Sequence, residues 1–121
     1  MSLAGRCVLI DDSGGHHLYL FLIDCVGNPS QTILLNVTSW YPGIDETCVL
    51  QPNDHPFIQK KSVVAYEYAD LLEEWRANIL LRDGTFQPPI DPTLLLKIRQ
   101  GLCESDQIPD EVKEFYQKYC T

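Results

Sequence analysis

The sequence predicts an α+β, mainly β fold: a small antiparallel barrel or sandwich followed by a C-terminal helical hairpin. Three observations carry this expectation. Residues 1–70 contain about five short runs of apolar, β-branched and aromatic residues, each bounded by Gly, Pro, Asn, Asp or Ser. From Ala69 onward the apolar residues recur at helical spacing. A chain of 121 residues is also long enough to bury one core without disulfides or metal. The expected division is a barrel over 1–70 and a helical extension over 71–121 packed on it, one domain overall.

The elements follow in order. Arg6–Ile10 (RCVLI) is a short apolar run ended by the turn signal Asp11-Asp12-Ser13-Gly14-Gly15. His17–Asp24 (HLYLFLID) is too short and too aromatic for a helix and predicts a buried strand. Gly27-Asn28-Pro29-Ser30 turns the chain into Gln31–Ser39 (QTILLNVTS), a strand able to pair with its predecessor as a hairpin. After Trp40-Tyr41-Pro42-Gly43, the stretch Asp45–Ile58 is unusually dense in Cys, His, Asn, Asp and Pro. Thr47–Leu50 can form a short strand, whereas Pro52–Pro56 must be a loop, because proline removes ladder donors. Ser62–Tyr68 completes the strand set. Asp70–Leu81 places Leu72, Trp75, Ile79 and Leu80 near helical spacing, although a strand start at Ala69–Leu72 fits too. Asp91-Pro92 reads as an N-cap with Pro at the first helical position, opening a helix with Leu95, Ile98 and Leu102 on one face. Pro109 opens the next, with Asp110 and Glu111 favourable to its N-terminal dipole and Val112, Phe115, Tyr116 and Tyr119 as its apolar side.

Composition narrows the partners. The net charge is -8, and residues 1–70 set only Arg6, Lys60 and Lys61 against eight acidic side chains. Neither half carries the basic stripe of a nucleic-acid binder, which argues against duplex DNA. No apolar run approaches the roughly 20 residues of a membrane span. The N-terminal residues lack a basic region followed by an apolar stretch, so no secretory signal is expected. Five cysteines, an odd number without CxxC spacing, favour a reduced, cytoplasmic protein.

Several residues could carry chemistry. His16 and His17 stand at a strand start and point to opposite faces, so at most one is expected to line a given site; either could act as general acid or base. The plainer alternative is a polar strand end after a Gly-Gly turn. Thr38 and Ser39 end a strand, where hydroxyls bind phosphate or make routine turn contacts. Asp54 and His55 could form an acid–base pair; alternatively Asn53-Asp54 makes an Asx-type turn and His55 holds the loop by bonding its backbone. Cys48 beside His55 has some ligand chemistry but too few partners for zinc, and a place inside a strand argues for packing. Trp40 and Tyr41 could stack a base or simply cover a barrel end. With Lys60 and Lys61 they complete the candidate substrate-binding set. No cofactor motif is present: there is no P-loop, GxGxxG, GxSxG or HExxH.

The runs HLYLFLID and TILLNVTS, a loop, and a strand around SVVAY together resemble the SH3-like barrel of the PemK/MazF-type toxins of bacterial toxin–antitoxin systems. The likeness is to a divergent branch with a TCVL.P.DHPFI…S.V.Y signature, here Thr47–Leu50, Pro52, Asp54–Ile58, Ser62, Val64 and Tyr66. It covers roughly residues 5–70, and Asp91–Leu102 is similar to that branch's tail. The resemblance implies a dimeric, metal-independent endoribonuclease that cuts single-stranded RNA, regulated by an antitoxin-like protein partner. In that family an Arg-Pro pair opening the second strand and a Thr or Ser ending the third supply much of the catalysis. Thr38-Ser39 matches the second element. His16-His17 stand where Arg-Pro would be, so the family's catalytic Arg is missing.

Three functional readings follow. The first is a ribonuclease using His16 or His17, Thr38 and Ser39, with Asp54 and His55 in support. The second is a non-catalytic interaction module of the same fold, acting through a homodimer or a protein partner. The third is a metal or thiol enzyme centred on Cys48 and His55.

Overall fold

The computed structural model describes residues 2–12 and 15–120. Among these residues seven antiparallel strands and three α-helices follow one another: β1 (Cys7–Asp12), β2 (Gly15–Phe21), β3 (Gln31–Ser39), β4 (Val49–Leu50), β5 (Ser62–Val64), β6 (Asp70–Glu73), α1 (Glu74–Asp83), β7 (Thr85–Gln87), α2 (Pro92–Glu104) and α3 (Asp110–Cys120). The expected α+β, mainly β class with helices at the C-terminal end holds. The strands form one open sheet in the order β4-β5-β3-β2-β1-β7, with β6 also paired to β3. The expected Asp11–Gly15 turn includes Ser13 and Gly14, which lie outside the described residues.

The apolar runs are nearly continuous because both sheet faces are covered. On one face Leu18, Leu20, Ile33, Leu35 and Val37 pack with Ile98 and Leu102 of α2 and with Val112, Phe115 and Tyr116 of α3. The other face is thinner: Val8, Phe21 and Leu72 meet Ala77 of α1, with Ile10, Tyr19 and Leu34 only partly buried. Alternation along β1 divides its residues accordingly, Cys7 and Leu9 to the first layer, Val8 and Ile10 to the second.

The long β3 organises the sheet. One edge pairs with β2, from Leu18↔Val37 to Phe21↔Leu34. Its other edge is shared, with β5 against Val37–Ser39 and β6 against Gln31–Leu34. This sharing settles the ambiguity after Ala69: Asp70–Glu73 completes the open half of β3 as a strand, and the helix starts only at Glu74. The phase of α1 therefore differs from the sequence expectation. Ala77 faces the sheet, while Trp75 (59% exposed) and Ile79 (37%) face outward. The expected Ser62–Tyr68 strand also stops at Val64. Tyr66–Tyr68 turns as a 3-10 helix and buries Tyr66, whose hydroxyl donates to the Ile98 carbonyl of α2 (2.7 Å). At Gly101 an added Cβ would lie 2.2 Å from that hydroxyl oxygen, so only glycine lets α2 approach so closely.

Residues beyond 70 thus supply two strands as well as the helices. β7 pairs with β1 through Cys7↔Gln87, although Gln87-Pro88-Pro89 reads as a mere connection in the sequence. The Asp91 side chain caps α2 by accepting from the Thr93 and Leu94 amides, as the Asp-Pro signal predicts. Among the described residues no helix is long and apolar enough to cross a membrane.

Candidate functional site

Two strand ends and one loop build an open cleft. β2 begins with Gly15-His16-His17 and β3 ends with Thr38-Ser39, antiparallel neighbours in one ladder. Their paired register ends at Leu18↔Val37, one step before His17 and Thr38. β5 extends the row with Thr38↔Val63 and Ser39↔Ser62. The segment Pro56–Lys60 runs along the opposite wall, and Gln87 of β7 joins it, enclosing about 1010 Å³.

His16, His17, Thr38, Ser39 and Lys60 all border this cleft. Both adjacent histidines do so, contrary to the expectation of one, because the cleft takes in strand ends from both sheet faces. No Asp or Glu is among the lining residues, in a chain with 17 acidic side chains. Asp11 is the register partner of His16, and its Oδ1 meets the His16 Nδ1 at the surface. A carboxylate on one ring nitrogen fixes the ring and leaves the other for solvent or ligand. Gln59, Ser62 and Gln87 were missed in the sequence. Ser62 and Gln87 reach the cleft through strand pairing that single-sequence patterning does not reveal.

The other candidates lie elsewhere or are engaged. His55 is 2% exposed, and both ring nitrogens are used by main chain: Nε2–H donates to the Pro88 carbonyl (2.6 Å), and Nδ1 accepts from the Phe57 amide (3.0 Å). Since a carbonyl only accepts and an amide only donates, the ring is the neutral Nε2–H tautomer. It holds no free nitrogen for a metal or a substrate proton. The Asp54 carboxylate accepts from the Gln51 amide (2.7 Å), and the backbone bonds Asn53 N–H to Ile58 and Ile58 N–H to His55 finish the loop. His55 thus bonds the loop's backbone as the plainer alternative had it, whereas Asp54 accepts from the amide three residues back, at Gln51, and does not make the expected Asx-type turn.

This loop ties the two edges of the sheet. It leaves edge strand β4, and His55 reaches the carbonyl immediately after the opposite edge strand β7. The expected barrel is therefore not closed: no ladder joins β4 to β7 among the described residues, and this side-chain bond is what spans the two edges. A second tie is Asp45, which accepts from the Thr47 amide (2.9 Å), the Thr47 hydroxyl (2.5 Å) and the Ser105 hydroxyl after α2 (2.7 Å). Burial pushes its carboxyl up, but these donors outweigh burial and hold its pKa below the ordinary carboxylate value.

Trp40 and Lys61 occupy each other: the ammonium lies 4.3 Å from the indole centroid, and the Trp40 amide donates to the Lys61 carbonyl (3.0 Å). Neither lines the cleft, whereas Tyr41 is 55% exposed on the following turn. Cys48 is buried, and burial pushes its thiol up, away from the thiolate that nucleophilic or ligand chemistry requires. The Cys48–His55 centre is therefore not assembled: one partner is a buried thiol and the other has both nitrogens bonded to backbone.

No family model, curated protein or solved structure matches this chain. What the cleft offers chemically rests on its own residues: two imidazoles, neighbouring hydroxyls, amide side chains and one ammonium.

Proposed function

We propose that the cleft binds the sugar-phosphate backbone of single-stranded RNA and cleaves it without metal, the activity that the PemK/MazF resemblance implies. One observation supports this reading above the rest. His16, His17, Thr38, Ser39 and Lys60 converge on one open cleft whose lining contains no carboxylate. Such cleavage needs a base to take the 2′-hydroxyl proton, an acid to protonate the departing 5′-oxygen, and positive charge on the phosphorane. One histidine serves as base and the other as acid, with Asp11 orienting His16. Lys60 supplies the charge that the family's Arg would otherwise give, and the Thr38 and Ser39 hydroxyls bind the non-bridging oxygens. The 2′-oxygen attacks phosphorus, the P–O5′ bond breaks, and a 2′,3′-cyclic phosphate and a 5′-hydroxyl remain.

The test is incubation of purified protein with a single-stranded RNA in excess chelator, with product ends identified by mass. Cleavage to a cyclic phosphate is expected, falling at least about 100-fold in His16→Ala and in His17→Ala. Intact RNA, or cleavage indifferent to both substitutions, ends the proposal. The second reading, a non-catalytic interaction module, draws on the net charge of -8 and on a cleft whose only strong cation is Lys60. It predicts no turnover and a stable protein complex.

A further inference from the structure

Two walls of the cleft meet at His55. Residues 56–60 form one wall and follow His55 directly in the chain. Gln87 belongs to another and precedes Pro88, whose carbonyl accepts from the His55 ring. One imidazole, buried and outside the cleft lining, therefore joins the two. The wall it holds carries Lys60, the ammonium of the cleft, and Phe57, which packs in part on the core.

The join requires a neutral ring. Nδ1 accepts from the Phe57 amide through its lone pair, and a proton there turns the acceptor into a second donor facing an N–H. The Nε2–H bond to Pro88 survives protonation, but the ring becomes a buried cation with no carboxylate to offset it. Among the described residues no charged side chain bonds the ring. The charged groups on the neighbouring segments are committed elsewhere. On the loop, Asp54 accepts from the Gln51 amide and Lys60 lines the cleft. After β7, Asp91 caps α2, and on α2 the Lys97 ammonium lies 3.5 Å from the Val49 carbonyl. Once the loop opens the ring meets water, where histidine takes up its proton near neutral pH.

We propose that His55 is a proton-operated latch on the cleft: mild acid detaches the wall of residues 56–60 from the Pro88 segment while the sheet stays folded. The latch belongs to the wall whatever the cleft binds. Its consequence for RNA cleavage, withdrawal of Lys60 from the phosphate, rests on the function proposed above.

Hydrogen exchange of the 15N-labelled full chain between about pH 7.5 and about pH 5.0 tests this, read as the Phe57 amide protection factor after correction for the intrinsic rate. The open loop binds one proton more than the closed one. Its population therefore grows about tenfold per pH unit below the ordinary histidine value of about 6.5, and Phe57 protection falls about 30-fold over the range. The circular dichroism spectrum stays unchanged. His55→Gln keeps an amide donor for Pro88 and takes up no proton, so its Phe57 protection varies with pH by less than about twofold. The 15N shift of the wild-type Nδ1 provides a readout without any substitution, because the ring protonates as Phe57 protection falls. Protection that ignores pH, or that falls equally in His55→Gln, overturns the proposal. A fall abolished in His16→Ala or His17→Ala but kept in His55→Gln belongs to the cleft histidines and overturns it as well. RNA has no part in this readout, so an inactive cleft does not decide the outcome.

Discussion

His55→Ala separates a residue that shapes a loop from one that performs chemistry. The substitution removes a ring that is 2% exposed and strands two main-chain groups, the Pro88 carbonyl and the Phe57 amide. Each lost hydrogen bond costs about 1 kcal/mol, and the vacated ring volume adds a similar amount, giving about 3 kcal/mol in all. With a urea m-value of about 1.5 kcal/mol/M, the unfolding midpoint falls by about 2 M. Urea titration followed by circular dichroism measures this directly. Amide exchange at Phe57 provides a local readout and accelerates by a larger factor than exchange at Leu35, deep in the sheet. A midpoint shift below about 0.5 M with unchanged Phe57 exchange refutes the reasoning. Loss of RNA cleavage at undiminished stability would move His55 from the scaffold into the chemistry.

Three more outcomes follow from the geometry. Gly101→Ala drives a methyl against the Tyr66 hydroxyl and destabilises the chain by about 2–3 kcal/mol, read as a fall in thermal midpoint; Tyr66→Phe in the same background recovers part of it, because the atom at 2.2 Å is gone. Asp24 carries a lowered pKa, chiefly because the Ala4 and Leu3 amides donate to it, and Asp45 is lowered as described above. Their folded pKa values lie below the ordinary 3.8, so their stabilisation is complete above that value and is lost as pH falls through the folded pKa. Stability therefore drops below about pH 4, and Asp24→Asn or Asp45→Asn flattens the drop in acid-unfolding curves. Thiol labelling at pH 8 is fastest at exposed Cys103 and slowest at Cys7, whose pKa burial pushes up to about 12; peptide mapping after timed alkylation reads the order, and early modification of Cys7 contradicts it.

Where local chemistry decides the outcome, the sequence was sufficient. Asp91-Pro92 announced its helix through a cap, and HLYLFLID and QTILLNVTS announced strands by length and β-branched content. Where a long-range partner decides, it was not. Asp70–Glu73 has helical spacing, yet half of the β3 edge stood open and took it as a strand. Thr85–Gln87 carries no strand signal and exists because β1 offers it a ladder. The site divides in the same way. His16, His17, Thr38 and Ser39 sit at strand ends predictable from turn residues, and the pairing of β2 with β3 brings those ends together. Asp54 and His55 showed the same unusual composition, but a count of side chains cannot tell that Pro88 would claim the ring of His55.

The clasp made by His55 also bears on how this chain avoids its own kind. A sheet left open has two borders of unpaired amides and carbonyls, and such borders recruit further strands from neighbouring molecules. Here the two ends of the strand order are brief, β4 with two residues and β7 with three, β6 beside β3 adds an edge of four, and the His55 bond links β4's loop to the end of β7. Releasing the clasp frees the loop that links the ends of these two borders. A chain that has lost it is both less stable, as the lower midpoint expected for His55→Ala records, and more open to edge-to-edge association.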